Sequence, residues 1–238
     1  PNSIIEGHCP KLQGLELARY IYRGVNSDHT KHSVSEIKER MKNGMFIEIQ
    51  EKTLNKDIVD FLSQKKLAEH FCFVTDDVMA DTLMEKGHLN HLVKEAIKLG
   101  MDPETAIYTT THTPASRMKL DNRGRIAPGK KADFLLLDNI RDFKISAVFK
   151  DGKKVYDKNK EFRDSYQTKK LFPENFYKSV KVPEIKESDL NVKAPGDEGK
   201  IKCRIMEVND GTTYTREKQD YLPVNNGYLN WEDSPYSL

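Results

Sequence analysis

The first 120 residues alternate short apolar runs with longer amphipathic stretches, and this repeat limits the possible folds more than any other feature. The predicted strands cover residues 3–8, 24–29, which would be very short, 45–51 and 70–76, and a helical pattern of apolar residues follows each strand. Such a βα repeat predicts parallel strands joined by right-handed crossovers. Four such units make half of a (β/α)8 barrel, so we expect an α/β fold with half of a TIM-like barrel.

Local sequence signals mark where the predicted helices begin and end. The helical patterns cover residues 12–22, 33–43, 54–69, 79–99 and 103–118. Ser33, with Glu36 three residues later, predicts a capping box at the start of the second helix. Gly87 predicts a break in the fourth helix, and Asp102 followed by Pro103 predicts the start of the fifth.

The pattern changes after residue 121, where strand and turn signals replace the βα repeat. Strand patterns at residues 132–137, 144–149 and 154–156 surround a tight Asp151-Gly152 turn, which predicts a small antiparallel sheet. Residues 157–200 are polar and predict a linker, and residues 201–208 predict a strand that pairs with 211–216. The expected domains are a half-barrel at 1–121, a β-hairpin or sandwich-type element at 122–160, and an extended linker with the start of a C-terminal β region at 161–238.

Composition excludes several classes of protein. Lys and Arg number 39 against 37 Asp and Glu, so the net charge of +2 gives no support for a nucleic-acid or membrane partner. No run of apolar residues is long enough for a transmembrane helix. The three cysteines form no CxxC motif, which is typical of a reducing compartment, and we expect a cytoplasmic protein.

Three residues that can bind a metal follow three of the predicted strands. His8, His29 and Asp76 each come at the carboxyl end of a strand, which is the face where βα barrels build their active sites. Imidazole and carboxylate are suitable ligands for a divalent metal, which generates a nucleophile from water near neutral pH. Each histidine alone fits a simple loop residue equally well, and Asp76 also fits a helix cap.

Six segments resemble those of adenine deaminases, which belong to the amidohydrolase superfamily. The most specific are EGHCPKL at residues 6–12, which is similar to GHCPxL, NSDH at 26–29, which is similar to SDHE with Thr30 replacing the acidic residue, and VTDD at 74–77. The others are GHLNH at 87–91, which resembles GHLDH, GRIAPGKKAD at 124–133, which resembles a hairpin found after many amidohydrolase barrels, and LPVNNG at 222–227, which resembles LPVExG.

The resemblance implies a role for individual residues. His8 and His29 correspond to the metal-binding histidines of the fifth and sixth barrel strands, and Asp76 to the eighth-strand aspartate that contacts the metal and moves the proton. Glu51 lies where the family has REGS, and the segment here retains only that glutamate. The resemblance implies that Glu51 holds the purine, although a solvent-exposed residue at a strand end is an equal alternative. The implied metal is Mn²⁺ or Fe²⁺, with Zn²⁺ as the alternative.

The family's other metal ligands have no counterpart in this sequence. Amidohydrolases also use a His-x-His pair on the first barrel strand, and no His-x-His occurs among these 238 residues. The resemblance therefore implies an internal or C-terminal fragment that carries the second half of the barrel. Because half a barrel leaves two strand edges unpaired, we expect a homo-oligomer or a complementing N-terminal half.

The function implied is hydrolysis of adenine, a small-molecule substrate, to hypoxanthine and ammonia by the parent protein, with the chain alone inactive or nearly so. Two alternatives remain open. The first is a non-catalytic remnant that serves as an assembly or scaffold domain, which the departures at Thr30, Lys52 and Asn90 allow. The second is another amidohydrolase of cyclic amides, against which the GHCP segment argues.

Overall fold

The computed structural model describes residues 4–160, 172–209, 215–232 and 234–236. The chain divides into two units, residues 1–163 and residues 164–238. Among the described residues, no helix is long and apolar enough to cross a membrane.

The first unit contains a parallel sheet of three short strands. They are β1 (Ser27–Asp28), β2 (Phe46–Ile49) and β3 (Phe71–Phe73), in the order β1-β2-β3. Asp28 pairs with Ile47, and Ile49 pairs with Phe73. This arrangement confirms the predicted parallel βα order for these three strands.

The predicted first strand, residues 3–8, is wrong for the described residues 4–8, which form no regular strand. One backbone hydrogen bond, from the Asn26 amide to the Ile5 carbonyl at 3.3 Å, links this segment to the residues before β1. The physical reason is that the neighbouring strand β1 is only two residues long, so it provides backbone hydrogen-bond partners for very few residues. Residue 3 lies outside the described residues.

Six helices follow or flank the strands, and several of their ends agree with the local signals. They are α1 (Gly14–Tyr22), α2 (Val34–Lys42), α3 (Lys56–Leu62), α4 (Ala80–Lys86), α5 (Leu89–Lys98) and α6 (Pro103–Arg117). The Ser33 capping box and the Asp102 cap are both confirmed. The predicted break at Gly87 is also confirmed, since Gly87 has a φ of 102°, a conformation that favours glycine.

The single helix predicted over residues 54–69 is wrong. Helix α3 ends at Leu62, and a separate 3-10 turn covers Lys65–Leu67. The Ser63 hydroxyl donates to the Val59 carbonyl at 2.7 Å, so a side chain satisfies one of the last carbonyls of α3. The buried core of this unit lies between the helices and the sheet and includes Leu17, Ile37, Ile47, Ile49, Ile58, Leu62, Phe71, Leu92, Val93 and Ala106.

A small antiparallel sheet completes the described part of the first unit. It consists of β4 (Phe134–Asn139), β5 (Lys144–Lys150) and β6 (Lys153–Asp157), in chain order. Asp151 and Gly152 both have positive φ, at 49° and 76°, as a tight hairpin turn requires. The predicted turn and strands are therefore confirmed.

The second unit contains a long antiparallel hairpin. Strand β7 (Glu198–Val208) pairs along its length with β8 (Thr215–Asn225), and β8 also pairs with β9 (Tyr228–Leu229). A four-residue helix, α7 (Glu174–Tyr177), precedes them. The strand predicted at 201–208 is confirmed, and the described residues of its predicted partner, 215–216, pair with it as the start of β8, whereas 211–214 lie outside the described residues. The predicted linker also ends early, at the start of β7, and its residues 161–171 are not described.

Candidate active site

The structure brings His8 and His29 into direct contact. His8 follows Gly7 in the segment before α1, and His29 comes directly after β1. The distance between His8 Nδ1 and His29 Nε2 is 3.1 Å, and the ring centroids lie 5.0 Å apart. The two rings therefore present one nitrogen each to the same small space.

Asp76 lies beside this pair, after the end of β3. Its Oδ2 atom is 3.9 Å from His29 Nε2, and 29% of its side chain is exposed. A φ of 55° places Asp76 in the left-handed region, which aspartate tolerates better than most residues. The three residues predicted at three strand ends thus meet at the carboxyl edge of the parallel sheet.

Gln50 and Lys52 also contact Asp76, and sequence analysis missed both contacts. The Gln50 side-chain amide donates to Asp76 Oδ2, and Lys52 Nζ lies 3.8 Å from the same oxygen. Gln50 shares a face of the β2 segment with Glu48, because alternate residues of a strand point the same way. That alternation in FIEIQ was the available signal, since two polar side chains interrupt an otherwise apolar run.

Glu48 lies beside His29, at the ring nitrogen opposite the one that faces Asp76, and it interacts with Glu6. Glu48 Oε2 is 3.9 Å from His29 Nδ1, and the Glu48 side chain is only 15% exposed. Burial, followed by the charge of Glu6, raises the pKa of Glu48 to about 7. Burial acts on Glu6 in the same direction, but hydrogen bonds from Ser27 and Arg117 outweigh it and lower its pKa. Of these two carboxyl groups, Glu48 therefore has the higher pKa.

Beneath the histidines, Asp28 forms the centre of a fully buried polar cluster. It accepts hydrogen bonds from Arg40, His32, Thr30 and Cys9. Burial alone would raise the pKa of Asp28, but hydrogen bonds from His32, Cys9 and Arg40 outweigh it and hold the pKa well below its usual range. Burial, followed by its hydrogen bond to Asp28, raises the pKa of the Cys9 thiol to about 12, which disfavours a thiolate ligand or nucleophile at this position.

Glu51 lies apart from the histidine pair, at an exposed position. Its carboxylate is 3.1 Å from His91 Nε2 and 3.4 Å from Lys86 Nζ, and 44% of its side chain is exposed. The hydrogen bond from His91 is the main cause that lowers the pKa of Glu51. His88, the residue before α5, has its Nε2 atom 3.2 Å from the Thr75 hydroxyl, next to Asp76. These contacts connect the start of α5 to the strand ends.

Comparison with known proteins identifies the family. The model of the amidohydrolase family matches residues 11–155. The chain belongs to the amidohydrolase family. Among curated relatives, this amidohydrolase is 48% identical to "Adenine deaminase" of Clostridium perfringens over 239 residues, which cover 100% of this chain and 42% of the relative. It is 47% identical to "Adenine deaminase 2" of Shouchella clausii, over 98% of this chain and 41% of that protein.

This amidohydrolase chain spans about two fifths of the length of the relatives that it matches. In the solved structure of an enamidase, 22% identical, the match covers 66% of this chain and 47% of that chain with a TM-score of 0.51. At that identity the likeness supports the fold alone.

Amidohydrolases typically use a divalent metal, and the donor atoms of this chain fit part of such a site. Ligand atoms of a tetrahedral metal lie roughly 3.4 Å apart when the metal–nitrogen bonds are about 2.1 Å, close to the separation of the two facing imidazole nitrogens. Asp76 lies slightly further out, and among the described residues no group of three or more His, Cys, Asp or Glu is arranged to hold a metal ion. The pair of histidines therefore fits a metal and does not by itself complete a site.

Proposed function

We propose that this amidohydrolase contributes half of an active site that hydrolyses adenine to hypoxanthine and ammonia. The observation that carries the proposal is the contact between His8 Nδ1 and His29 Nε2, with Asp76 beside it at the same sheet edge. The adenine deaminase names of the relatives, at 47–48% identity along nearly all of this chain, support adenine as the substrate.

In this proposal, the parallel sheet and its helices form the second half of a (β/α)8 barrel over residues 1–121. The other two proposed domains are a β-hairpin or sandwich-type element at 122–160 and an extended linker with the start of a C-terminal β region at 161–238. The remaining metal ligands come from a complementing N-terminal half or from a second copy, in a cytoplasmic protein. His8, His29 and Asp76 hold a divalent cation, Mn²⁺ or Fe²⁺ by preference and Zn²⁺ as the alternative.

Asp76 and Gln50 have distinct roles in the proposed reaction. A divalent cation, when bound, supplies a nucleophile from water near neutral pH. Asp76 accepts the proton of the attacking water at its carboxylate and returns it to the departing amine as ammonia. The Gln50 amide restrains Asp76 Oδ2 by donating to it, so the other carboxylate oxygen remains for proton transfer.

Glu51 is the proposed contact to the purine. It lies at the end of the β2 segment, two residues after Ile49, and its carboxylate is exposed. A carboxylate accepts hydrogen bonds from ring N–H groups, so it can orient a purine that presents one. Hydrogen bonds from His91 and Lys86 lower the pKa of Glu51, which favours the ionised form that this role requires.

The decisive experiment measures ammonia release from adenine in two proteins. One is the 238-residue chain alone, and the other joins it to the preceding segment of the Clostridium perfringens relative. We expect turnover only in the joined protein, and we expect His8→Ala or His29→Ala to abolish it. His112→Ala is the matched control, because His112 contacts Tyr108 and Ser116 rather than the site.

Two outcomes would count against the proposal. If the metal-loaded joined protein deaminates or hydrolyses another cyclic substrate but never adenine, the substrate is wrong. If it binds no metal at all, a non-catalytic scaffold role is the better account.

A further inference from the structure

We propose that the buried Asp28–Arg40 pair is a positioning clamp that sets the spacing of His8 and His29. Neither residue touches the histidine rings. Arg40 instead binds the backbone that follows His8, and Asp28, which precedes His29, binds the backbone that follows each histidine, so the clamp acts through the chain. Its use for metal binding rests on the proposed function, whereas its effect on the two rings does not.

Arg40 connects helix α2 to the segment that carries His8. Its Nη2 donates to the Cys9 carbonyl at 2.8 Å and to the Leu12 carbonyl at 3.2 Å, and its Nε donates to Asp28 Oδ2 at 2.8 Å. The side chain of Arg40 is completely buried. One planar guanidinium therefore fixes the residue after His8 and the residue before His29 at the same time, which a single ammonium group cannot reproduce.

Asp28 makes the reciprocal connection from β1. Its Oδ1 accepts from the Cys9 amide at 3.3 Å and from the Thr30 amide at 3.1 Å, and its Oδ2 accepts from the Cys9 thiol at 2.9 Å. The residues that follow the two histidines, Cys9 and Thr30, are thus bound to one carboxylate. His32 Nε2 also contacts Asp28 Oδ2, at 2.6 Å, and closes the cluster on the side of α2.

This arrangement accounts for the close contact of the two rings. His8 is exposed and makes one backbone hydrogen bond, to the Tyr20 hydroxyl at 3.1 Å, so its own contacts hold it loosely. His29 is also partly exposed. Two side chains at the protein surface remain 3.1 Å apart because their backbones are joined through buried groups.

The test uses the 238-residue chain with ¹⁵N-labelled histidine, and it reads the ring nitrogens by NMR without metal. In the wild-type chain, one ring donates to the other, so His8 Nδ1 and His29 Nε2 should give separate protonated and unprotonated signals. Arg40→Lys keeps the buried charge and loses the fork that spans Asp28, Cys9 and Leu12. In Arg40→Lys we expect each of the two rings to exchange between its tautomers, so that the nitrogen signals of His8 and His29 move to averaged positions.

Matched variants separate positioning from stability. Val93→Ala weakens the same core on α5 and should lower the thermal midpoint without moving the His8 and His29 signals. Should Arg40→Lys not fold, Cys9→Ala and Cys9→Ser form a second pair. Only the alanine loses the donor to Asp28, so only Cys9→Ala should broaden both signals. The clamp is overturned if the variants that break it leave both histidine signals unchanged.

Zinc titration of the same proteins extends the test to the metal. We expect the ring signals of His8 and His29 to shift together as zinc is added to the wild-type chain. In Arg40→Lys the same shift should require a zinc concentration at least tenfold higher. Failure of the joined protein to act on adenine would overturn the proposed substrate and leave this result intact. Unchanged ring signals in Arg40→Lys would overturn the clamp and leave the substrate intact.

Discussion

Gly7 is the residue whose lack of a side chain matters most to the candidate site. A Cβ atom placed there would lie 2.5 Å from the Ser27 carbonyl oxygen, 2.5 Å from Val25 Cγ1 and 2.9 Å from the Tyr20 hydroxyl. Real Cβ atoms do not approach backbone this closely, so the segment that carries His8 would have to move away from β1. The glycine therefore allows His8 and His29 to approach each other.

We predict that Gly7→Ala lowers the free energy of unfolding by about 1–3 kcal/mol, the usual cost of overpacking. It should also separate the two histidines, because the residue before His8 is displaced. Gly196→Ala is the control, since a Cβ there meets nothing within 4 Å. Urea denaturation measures the first effect, and the histidine ring signals measure the second. If Gly7→Ala is as stable as Gly196→Ala, the segment around Gly7 accommodates the added methyl group without loss of stability, and the prediction is wrong.

The site residues differ in how far the sequence alone could find them. His8, His29 and Asp76 follow predicted strands, so the βα repeat was enough to suggest that they meet. The roles of Gln50 and Arg40 depend on tertiary contacts that no local pattern encodes. The apolar pattern of helix α2 predicts that Arg40 is exposed to solvent. It is instead completely buried, where it forms an ion pair with Asp28. A buried ion pair of this kind cannot be inferred from periodicity.

At the scale of elements, helix starts were predicted better than strand lengths. Caps depend on residues three positions apart, so the Ser33 and Asp102 caps were visible in the sequence. Strand lengths depend on partners elsewhere in the chain, which explains why residues 4–8 form no regular strand. The end of helix α3 at Leu62 was not predicted, because neither Gly nor Pro follows it at Ser63-Gln64 to signal a helix end.

The capping box of α2 offers a test at this scale, because the helix also supplies Arg40. The Ser33 hydroxyl accepts from the Glu36 amide, and the Glu36 carboxylate accepts from the Ser33 amide at 2.8 Å. We predict that Ser33→Ala costs about 1 kcal/mol of unfolding free energy and that Ser33→Asp, which also caps, restores most of it. Chemical denaturation of the three proteins measures this. Equal stability of the alanine and aspartate variants would contradict it.

The same box predicts a pH dependence. The hydrogen bond from the Ser33 amide is the largest cause that lowers the pKa of Glu36 below its ordinary value of 4.5. A carboxyl group with a lowered pKa stabilises the folded state above its unfolded pKa, and this contribution disappears as the pH falls through the folded pKa. Ser33→Ala keeps that amide but removes the second cause, the hydrogen bond from the Ser33 hydroxyl to the Glu36 carboxylate, so its cost in unfolding free energy, measured by chemical denaturation, should be smaller at acidic pH than at pH 7.

At the scale of the whole chain, the apolar core is distributed unequally between the two units. The main buried cluster consists of residues from Cys9 to Phe143, all in the first unit. Among the described residues of the second unit, only Leu222 and Val224 are buried hydrophobics. The second unit is mainly a hairpin with one short added strand, an architecture that is marginally stable in water without further packing. We therefore expect the second unit to unfold first.

Two spectroscopic signals can follow the units separately. Trp231 is the single tryptophan of the sequence and lies in the second unit, whereas helices α1 to α6 all lie in the first. We predict that tryptophan fluorescence changes at lower urea concentration than the helical circular dichroism, because fewer apolar side chains are buried around the hairpin. Leu222→Ala should shift only the fluorescence transition, and Val93→Ala only the dichroism transition. Coincident transitions in the wild-type chain and in both variants would mean that the two units fold as one cooperative body, so the hairpin would have to draw its stability from the first unit.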